Sequence, residues 1–95
     1  MQVRYLAAAR ADLADIWHFT NQKWSRDQAD RYLKGLQRAI QRIAEGRKPT
    51  RDVGDLRAGL RMATQGRHGI YLTISDQDIV IVRVLHSSRD AGRWV

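Results

Sequence analysis

The residues best suited to chemistry lie in the second half of the chain: Arg61, Arg67, His68, Arg83 and His86. Together they have the makings of metal-free cleavage of an RNA phosphodiester. That reaction needs a base for the 2′-hydroxyl proton, an acid for the leaving 5′-oxygen and cations to hold the phosphate. Free imidazole titrates near neutrality, so His68 and His86 are residue types suited to proton transfer. Arg61, Arg67 and Arg83 suit a phosphate clamp. The same residues also have plainer readings. Arg83 interrupts an apolar run, so it is expected to pair with a carboxylate, Asp90 or Asp12, because an isolated buried charge is costly. His86 fits a hydrogen-bonded strand end, and His18 a partly exposed helix position beside Trp17. The three histidines are not spaced as metal ligands and no cysteine supports them, so neither metal nor cofactor is expected.

The strongest structural signal is the run that leads to His86. Apart from Arg83, residues 79–85 are all apolar, with four consecutive Val or Ile residues at 79–82. β-Branched residues crowd a helix but suit a strand, and a run apolar on both faces fits a strand covered on both sides. The polar tip that follows, His86 to Asp90, is either a rigidly presented functional surface or a solvated strand end.

The elements that must position this strand precede it. Gln2 to Leu6 alternates weakly and reads as a first strand. Ala7 to Trp24 reads as a helix with Leu13, Ile16, Trp17, Thr20 and Trp24 on one stripe. Asp12 and Asp15 lie near its start, where the helix dipole favours acids, but Ala7 to Ala9 offer no cap. Ser25-Arg-Asp-Gln28 fits a capping box that opens a second helix. Its stripe is Ala29, Tyr32, Leu33, Leu36, Ile40 and Ile43, with Asp27–Arg31 and Asp30–Lys34 as expected outer ion pairs. Gly46 and Pro49 stop it near Glu45. The short connection makes the two helices an antiparallel hairpin, so Trp17, Trp24 and Tyr32 are expected to pack within it. Residues 46–59 read as a loop. Leu60 to Gln65, His68 to Ser75 and Ile79 to Leu85 then alternate as three strands joined by short turns, an antiparallel meander. The whole is one domain, residues 1–95, of the α+β class in the order β-α-α-β-β-β.

Composition narrows the partners. Fourteen of the seventeen cationic residues are arginine, against ten acids, giving a formal charge of +7. Such a surface suits a nucleic acid or an acidic protein. No signal segment or long apolar stretch is visible, so a cytoplasmic protein with no membrane partner is expected.

Five segments follow one another along the chain: Ala11-Asp-Leu-Ala-Asp-Ile-Trp17, Gln28-Ala-Asp-Arg-Tyr32, Leu56-Arg-Ala-Gly-Leu-Arg61, Gly66-Arg-His-Gly-Ile-Tyr-Leu72 and Ile81-Val-Arg-Val-Leu-His-Ser-Ser-Arg-Asp90. In this order and spacing the sequence resembles the ParE-like toxins of bacterial type II toxin–antitoxin systems, within the wider RelE/ParE group. Together the segments span nearly the whole chain. The sequence departs from the common pattern at Ala7 to Ala9, where a Ser-Pro-like cap is frequent, and at Thr64-Gln65, where apolar residues are common.

The resemblance implies a helix hairpin on an antiparallel sheet. It also implies a ParD-like antitoxin whose acidic C-terminal segment wraps the toxin and whose N-terminal part makes most of the DNA contact, in a hetero-oligomeric complex. Studied ParE-like members poison DNA gyrase by binding, whereas the RelE-like branch cuts mRNA on the ribosome. If the chain were such a ribonuclease, Arg61, Arg67, Arg83 and His86 would be its working residues. However, no tyrosine follows His86, and the only lysines are Lys23, Lys34 and Lys48. A gyrase-binding inhibitor is therefore favoured over an enzyme. Arg61, Arg83, His86, Arg89 and Trp94 form the expected target surface. Phe19, Arg31, Arg38, Arg42 and an edge strand beginning at Arg61 form the expected antitoxin surface, because an acidic segment can add a strand to an exposed edge. Phe19 could instead meet a second copy or cover the hairpin's flank, and Trp94 could dock back on the sheet.

Overall fold

The structure, a computed structural model, describes residues 1–95. Strand β1 (Gln2–Tyr5) leads into helix α1 (Ala7–Lys23), and helix α2 (Arg26–Ala44) returns antiparallel to it. Strands β2 (Arg51–Asp52), β3 (Arg61–Gln65), β4 (His68–Ile74) and β5 (Asp78–His86) follow, and a short 3₁₀ turn covers Ala91–Arg93. The sheet order is β1-β5-β4-β3-β2, with β1 parallel to β5 and the other pairs antiparallel. The expected helix hairpin and meander are both present.

The expected loop at 46–59 contains an element that the sequence reading missed. β2 pairs Arg51 with Met62 and Asp52 with Arg61. Two residues are too few to show a period, which is why no strand signal was visible. The edge expected to begin at Arg61 is therefore already occupied over its first two residues.

The helices cover one face of the sheet. Ala9, Leu36, Ala39, Ile40 and Ile43 pack on Ala63, Ile70, Leu72, Ile79, Ile81 and Val84. On the opposite face, Val53, Leu60, Met62 and Val82 form a smaller cluster under Tyr71 and Val95. β5 is thus covered on both sides, as its composition requires. A bulge makes this possible: Tyr71 faces Arg83 while Leu72 faces Ile81, which leaves Val82 as the extra residue. Ile79, Ile81 and Val84 can then share the helix face although they break strict alternation.

α2 follows its sequence signals and α1 does not. In α2 the Ser25 hydroxyl accepts the Gln28 amide at 3.1 Å, and Ala29, Leu36, Ala39, Ile40 and Ile43 are buried. In α1 only Ala9 and Asp12 are fully buried, with Leu13 and Ile16 packed against the core from its margin. Trp24, expected on the core stripe, is 64% exposed. It is the C-cap residue, with a non-helical backbone (φ −124°, ψ −87°) that takes it off the stripe's phase. The expected Asp30–Lys34 and Asp27–Arg31 pairs do not form. Asp30 instead accepts the Trp17 indole N–H at 2.8 Å, and Asp27 and Arg31 are both exposed, where water competes well.

Candidate functional site

β5 loses its neighbour halfway along. β1 ends opposite Ile81, where the Leu6 amide makes one last bond to the Ile81 carbonyl at 3.0 Å. Beyond that point α1 crosses the strand, and Asp12 supplies what β1 no longer does. Its Oδ2 accepts the Val84 amide at 2.9 Å and Arg83 Nε at 2.7 Å, while Oδ1 accepts Arg83 Nη2 at 2.7 Å. This is a bidentate, charge-assisted fork between side chains only 16% and 11% exposed. The hydrogen bonds that Arg83 donates to the Asp12 carboxylate raise its pKa above the ordinary value. Of the two carboxylates expected for Arg83, Asp12 is the partner. Asp90 instead caps the 3₁₀ turn by accepting the Gly92 amide at 3.2 Å.

Arg83 also holds the C-terminus. Its Nη1 donates to the Trp94 carbonyl at 3.2 Å, and the Trp94 ring lies 5.6 Å from the Arg83 guanidinium and 4.8 Å from that of Arg89. Trp94 therefore docks back on the strand end through two arginines and leaves 47% of its surface in solvent.

Both strand-end histidines sit at the tip of the β4–β5 ladder. His68 faces His86 in register, with their rings edge-to-face and 5.4 Å apart. The Tyr32 hydroxyl accepts the Arg67 amide at 3.1 Å and meets His68 Nδ1 at 2.5 Å. With its oxygen taken by Arg67, the hydroxyl is free to donate to Nδ1, which leaves the imidazole proton on Nε2. Burial lowers the His68 pKa to about 4, helped by the neighbouring His86 and opposed by Asp12. Gly66 makes this contact possible. It turns the chain at φ 58°, and a Cβ there would stand 2.7 Å from the Tyr32 hydroxyl. His86 Nδ1 accepts the Ser88 amide at 3.1 Å and lies 2.8 Å from the Ser88 hydroxyl.

These groups border an open groove of about 970 Å³ between α1, the start of α2 and the β4–β5 tip. Ile16, Phe19, Trp24 and Tyr32 supply its apolar surface, and Lys23, Arg67 and Arg89 its cations. Phe19 is 62% exposed, with the Lys23 ammonium 5.7 Å from its ring centre. No group of three or more His, Cys, Asp or Glu side chains is placed to hold a metal. No helix is long and apolar enough to cross a membrane.

The expected site residues therefore separate. His86, Arg67 and Arg89 border the groove, Trp94 stacks on Arg89, and Arg83 is not among the lining residues, being spent on Asp12 and the Trp94 carbonyl. Arg61 does not join them. Its guanidinium donates to the Thr50 hydroxyl and carbonyl at 2.7 and 2.8 Å. It pairs with Leu72, four residues from His68 along β4, or about 13 Å at the rise of a strand. Phe19 lines the groove and Arg31 borders a small hollow beside it with Gln28 and Tyr32. Arg38 and Arg42 lie further along α2, exposed. Tyr32, read as hairpin packing, is a hydrogen-bonding hub. The sequence marks Asp12 as a dipole-favoured acid and a possible partner for Arg83, but not as the acceptor of a strand amide. Its signal was available, since it falls on the same helical phase as Ala9, Leu13 and Ile16, where an acid needs a partner.

A family model described as the ParE toxin of the type II toxin–antitoxin system, parDE, matches residues 3–91. The chain belongs to this family. Toxin ParE1 of Mycobacterium tuberculosis is 38% identical over 96 residues, covering 98% of each chain. Toxin ParE1 of Caulobacter vibrioides is 39% identical over 83 residues, covering 87% of this chain and 85% of that protein. Toxin ParE of Escherichia coli is 34% identical over 85 residues, covering 88% and 82%. A solved structure of the chromosomal ParDE system from P. aeruginosa superposes with a TM-score of 0.74 at 15% identity, over 90% of this chain and 95% of that one. At that identity the likeness shows the shared fold.

Proposed function

We propose that this ParE family member acts by binding DNA gyrase and is neutralised by a ParD-like antitoxin. The observation that carries this reading is how the polar groups of the strand tip are used. Ribonuclease chemistry would need Arg61, Arg67, Arg83 and His86 to converge on one phosphate. Arg83 is neutralised by Asp12, Arg61 is held at the far end of β3 by Thr50, and His68 is kept neutral against Tyr32. What faces solvent is a surface suited to adhesion: Trp94 stacked on Arg89, with His86 beside it and the Phe19–Trp24 groove adjacent. Aromatic and arginine side chains are the usual anchors of protein interfaces. Of the expected target surface, His86, Arg89 and Trp94 are the contacts in this reading, and Arg83 is the residue that positions Trp94.

The antitoxin's acidic segment lays an apolar face into the groove, over Phe19, with Arg31 at its rim. Arg38 and Arg42 lie about 10 and 16 Å beyond Arg31 along α2 and steer the encounter. The half of β3 that β2 leaves free, residues 63–65, remains open for strand addition. The antitoxin makes most of the DNA contact within the hetero-oligomeric complex, and a toxin aimed at gyrase works in the cytoplasm.

The test is a supercoiling reaction with purified toxin. Loss of supercoiling or a rise in cleaved DNA is expected, and Trp94→Ala should weaken either effect at least tenfold. No effect at high molar excess overturns the gyrase reading. Ribosome-dependent mRNA cuts that disappear in His86→Ala would install the RelE-like ribonuclease in its place.

A further inference from the structure

The outer face of α2 holds a row of cations that starts at Arg31, beside the groove's rim, and runs away from both the groove and the strand tip. Arg31, Lys34, Arg38 and Arg42 follow one another at steps of three, four and four residues, and all are exposed. At 3.6 residues per turn they share an arc of about 80°, on the side away from Leu36, Ile40 and Ile43. No acid interrupts residues 31–42. None of the four is ion-paired, since the ion pairs of the molecule are Arg4–Asp78, Arg47–Glu45 and Arg83–Asp12. Asp30, the nearest acid on the helix, is occupied by the Trp17 indole.

The row is straight, cationic and without apolar relief. None of the large exposed hydrophobic side chains lies on α2; they are Met1, Leu6, Phe19, Trp24, Leu56, Ile74 and Trp94. A peptide partner needs apolar anchors, and those sit in the groove. A nucleic-acid backbone needs only cations and N–H donors in a row. The row is about 16 Å long, the axial length of about five phosphates on one strand of a duplex. We propose that this ridge binds the phosphate backbone of duplex DNA without sequence preference, so that the toxin chain itself holds DNA alongside any contact made through an antitoxin. The proposal stands apart from the gyrase reading, because a duplex-binding measurement contains no gyrase.

The experiment is a salt titration of full-length toxin on a fluorescently labelled 20-base-pair duplex of arbitrary sequence, read by anisotropy. Four phosphate contacts predict a slope of log affinity on log salt of about −3.6, and hence a fall of roughly 150-fold between 50 and 200 mM salt. A ridge variant, Arg31→Gln with Lys34→Gln, Arg38→Gln and Arg42→Gln, should flatten the slope towards zero and lose at least tenfold in affinity at 50 mM. A variant of equal charge loss elsewhere, Arg26→Gln with Arg47→Gln, Arg57→Gln and Arg93→Gln, should bind nearly as the parent does. Equal losses in the two variants overturn the proposal in favour of diffuse charge. A polyglutamate probe that binds the parent as tightly as the duplex, and is lost with the ridge, overturns it in favour of an acidic-peptide site. Should the fourfold variant fail to fold by circular dichroism, Arg38→Gln alone decides: the slope falls by about 0.9 or the ridge is not the site.

Discussion

The two helices of the hairpin are built on different terms. α2 has a side-chain cap at Ser25, Asp27 in its first turn, Arg42 in its last, and a clean division between buried and exposed faces. α1 has Leu6 at its N-cap with no side-chain bond, no acid in its first turn, a buried carboxylate, and an exposed Phe19 and Trp24 at its far end. α2 is stabilised by local signals and apolar packing that agree. α1 is fixed by tertiary bonds: Asp12 to β5, and Trp17 to Asp30 of α2. The departures from local rule in α1 coincide with the groove and with the strap that holds Arg83, as expected where function competes with foldability.

The sharpest way to break this comparison is to cut one anchor in each helix. Asp12→Ala leaves the partly buried Arg83 without a counter-charge and the Val84 amide without an acceptor, and should cost about 3 kcal/mol. Leu36→Ala, at the centre of the α2 stripe, should cost about 2–5 kcal/mol through lost burial and a cavity. Urea unfolding of both variants checks the pair. A cost under about 1 kcal/mol for Asp12→Ala would mean that α1 rests on packing after all. The Asp12 variant should also release Trp94, seen as a red-shifted, more quenchable tryptophan fluorescence.

A smaller effect separates binding from stability. Phe19 and Trp24 are mostly exposed, so alanine at either position should shift stability by no more than about 0.5 kcal/mol. As groove anchors, each should weaken antitoxin binding by about 2 kcal/mol, roughly 30-fold. Titration calorimetry against the cognate antitoxin measures this, and unchanged affinity in both variants would remove the groove from the interface.

The pH dependence comes next. His68 has its pKa pushed down to about 4 from 6.5, so the fold favours its neutral form. Above pH 6.5 both folded and unfolded chains are neutral there and the stabilisation is complete. As pH falls from 6.5 towards 4, the unfolded chain takes up the proton first and stability is lost. Half of the ring is screened by solvent, so the loss is roughly 1–2 kcal/mol. Carboxylates titrate in the lower part of the same range, so the measurement is the difference between the parent and His68→Asn. The parent should lose its advantage between pH 6.5 and 4, and parallel profiles would show that His68 is not held neutral.

Much of this architecture was legible in the sequence because two periods are plain in it. The α2 stripe and the alternation of β3 and β4 give the hairpin and the meander, and the Val–Ile run gives a strand covered on both faces. The bulge at Val82 was not legible. A one-residue slip leaves composition untouched and shows only in the pairing of Tyr71 with Arg83. β2 was too short to show a period. At the site, Arg83 announced that it needed a carboxylate, but Asp12 and Asp90 were equally available, since choosing between residues 71 and 7 positions away requires the fold. Trp24 was misplaced because helical phase was carried through a residue whose backbone had already left the helix. Tyr32 was read by its ring, although its hydroxyl ties α2 to the β3–β4 turn and to His68.

The smallest predicted effect tests whether the helix starts really differ. Ser25 caps α2 from an extended backbone, φ −163° and ψ 164°, through its bond to the Gln28 amide. Ser25→Ala should therefore cost about 1 kcal/mol. Leu6 stands at the same place in α1, also extended at φ −70° and ψ 154°, 43% exposed and with no side-chain bond. An oxygen placed there meets an unpaired first-turn amide, so Leu6→Ser should gain about 0.5–1 kcal/mol. Thermal melts of the two variants should move in opposite directions. If Leu6→Ser destabilises the chain instead, Leu6 contributes apolar contact at the β1–α1 corner, and the start of α1 is fixed by packing as the start of α2 is fixed by its cap.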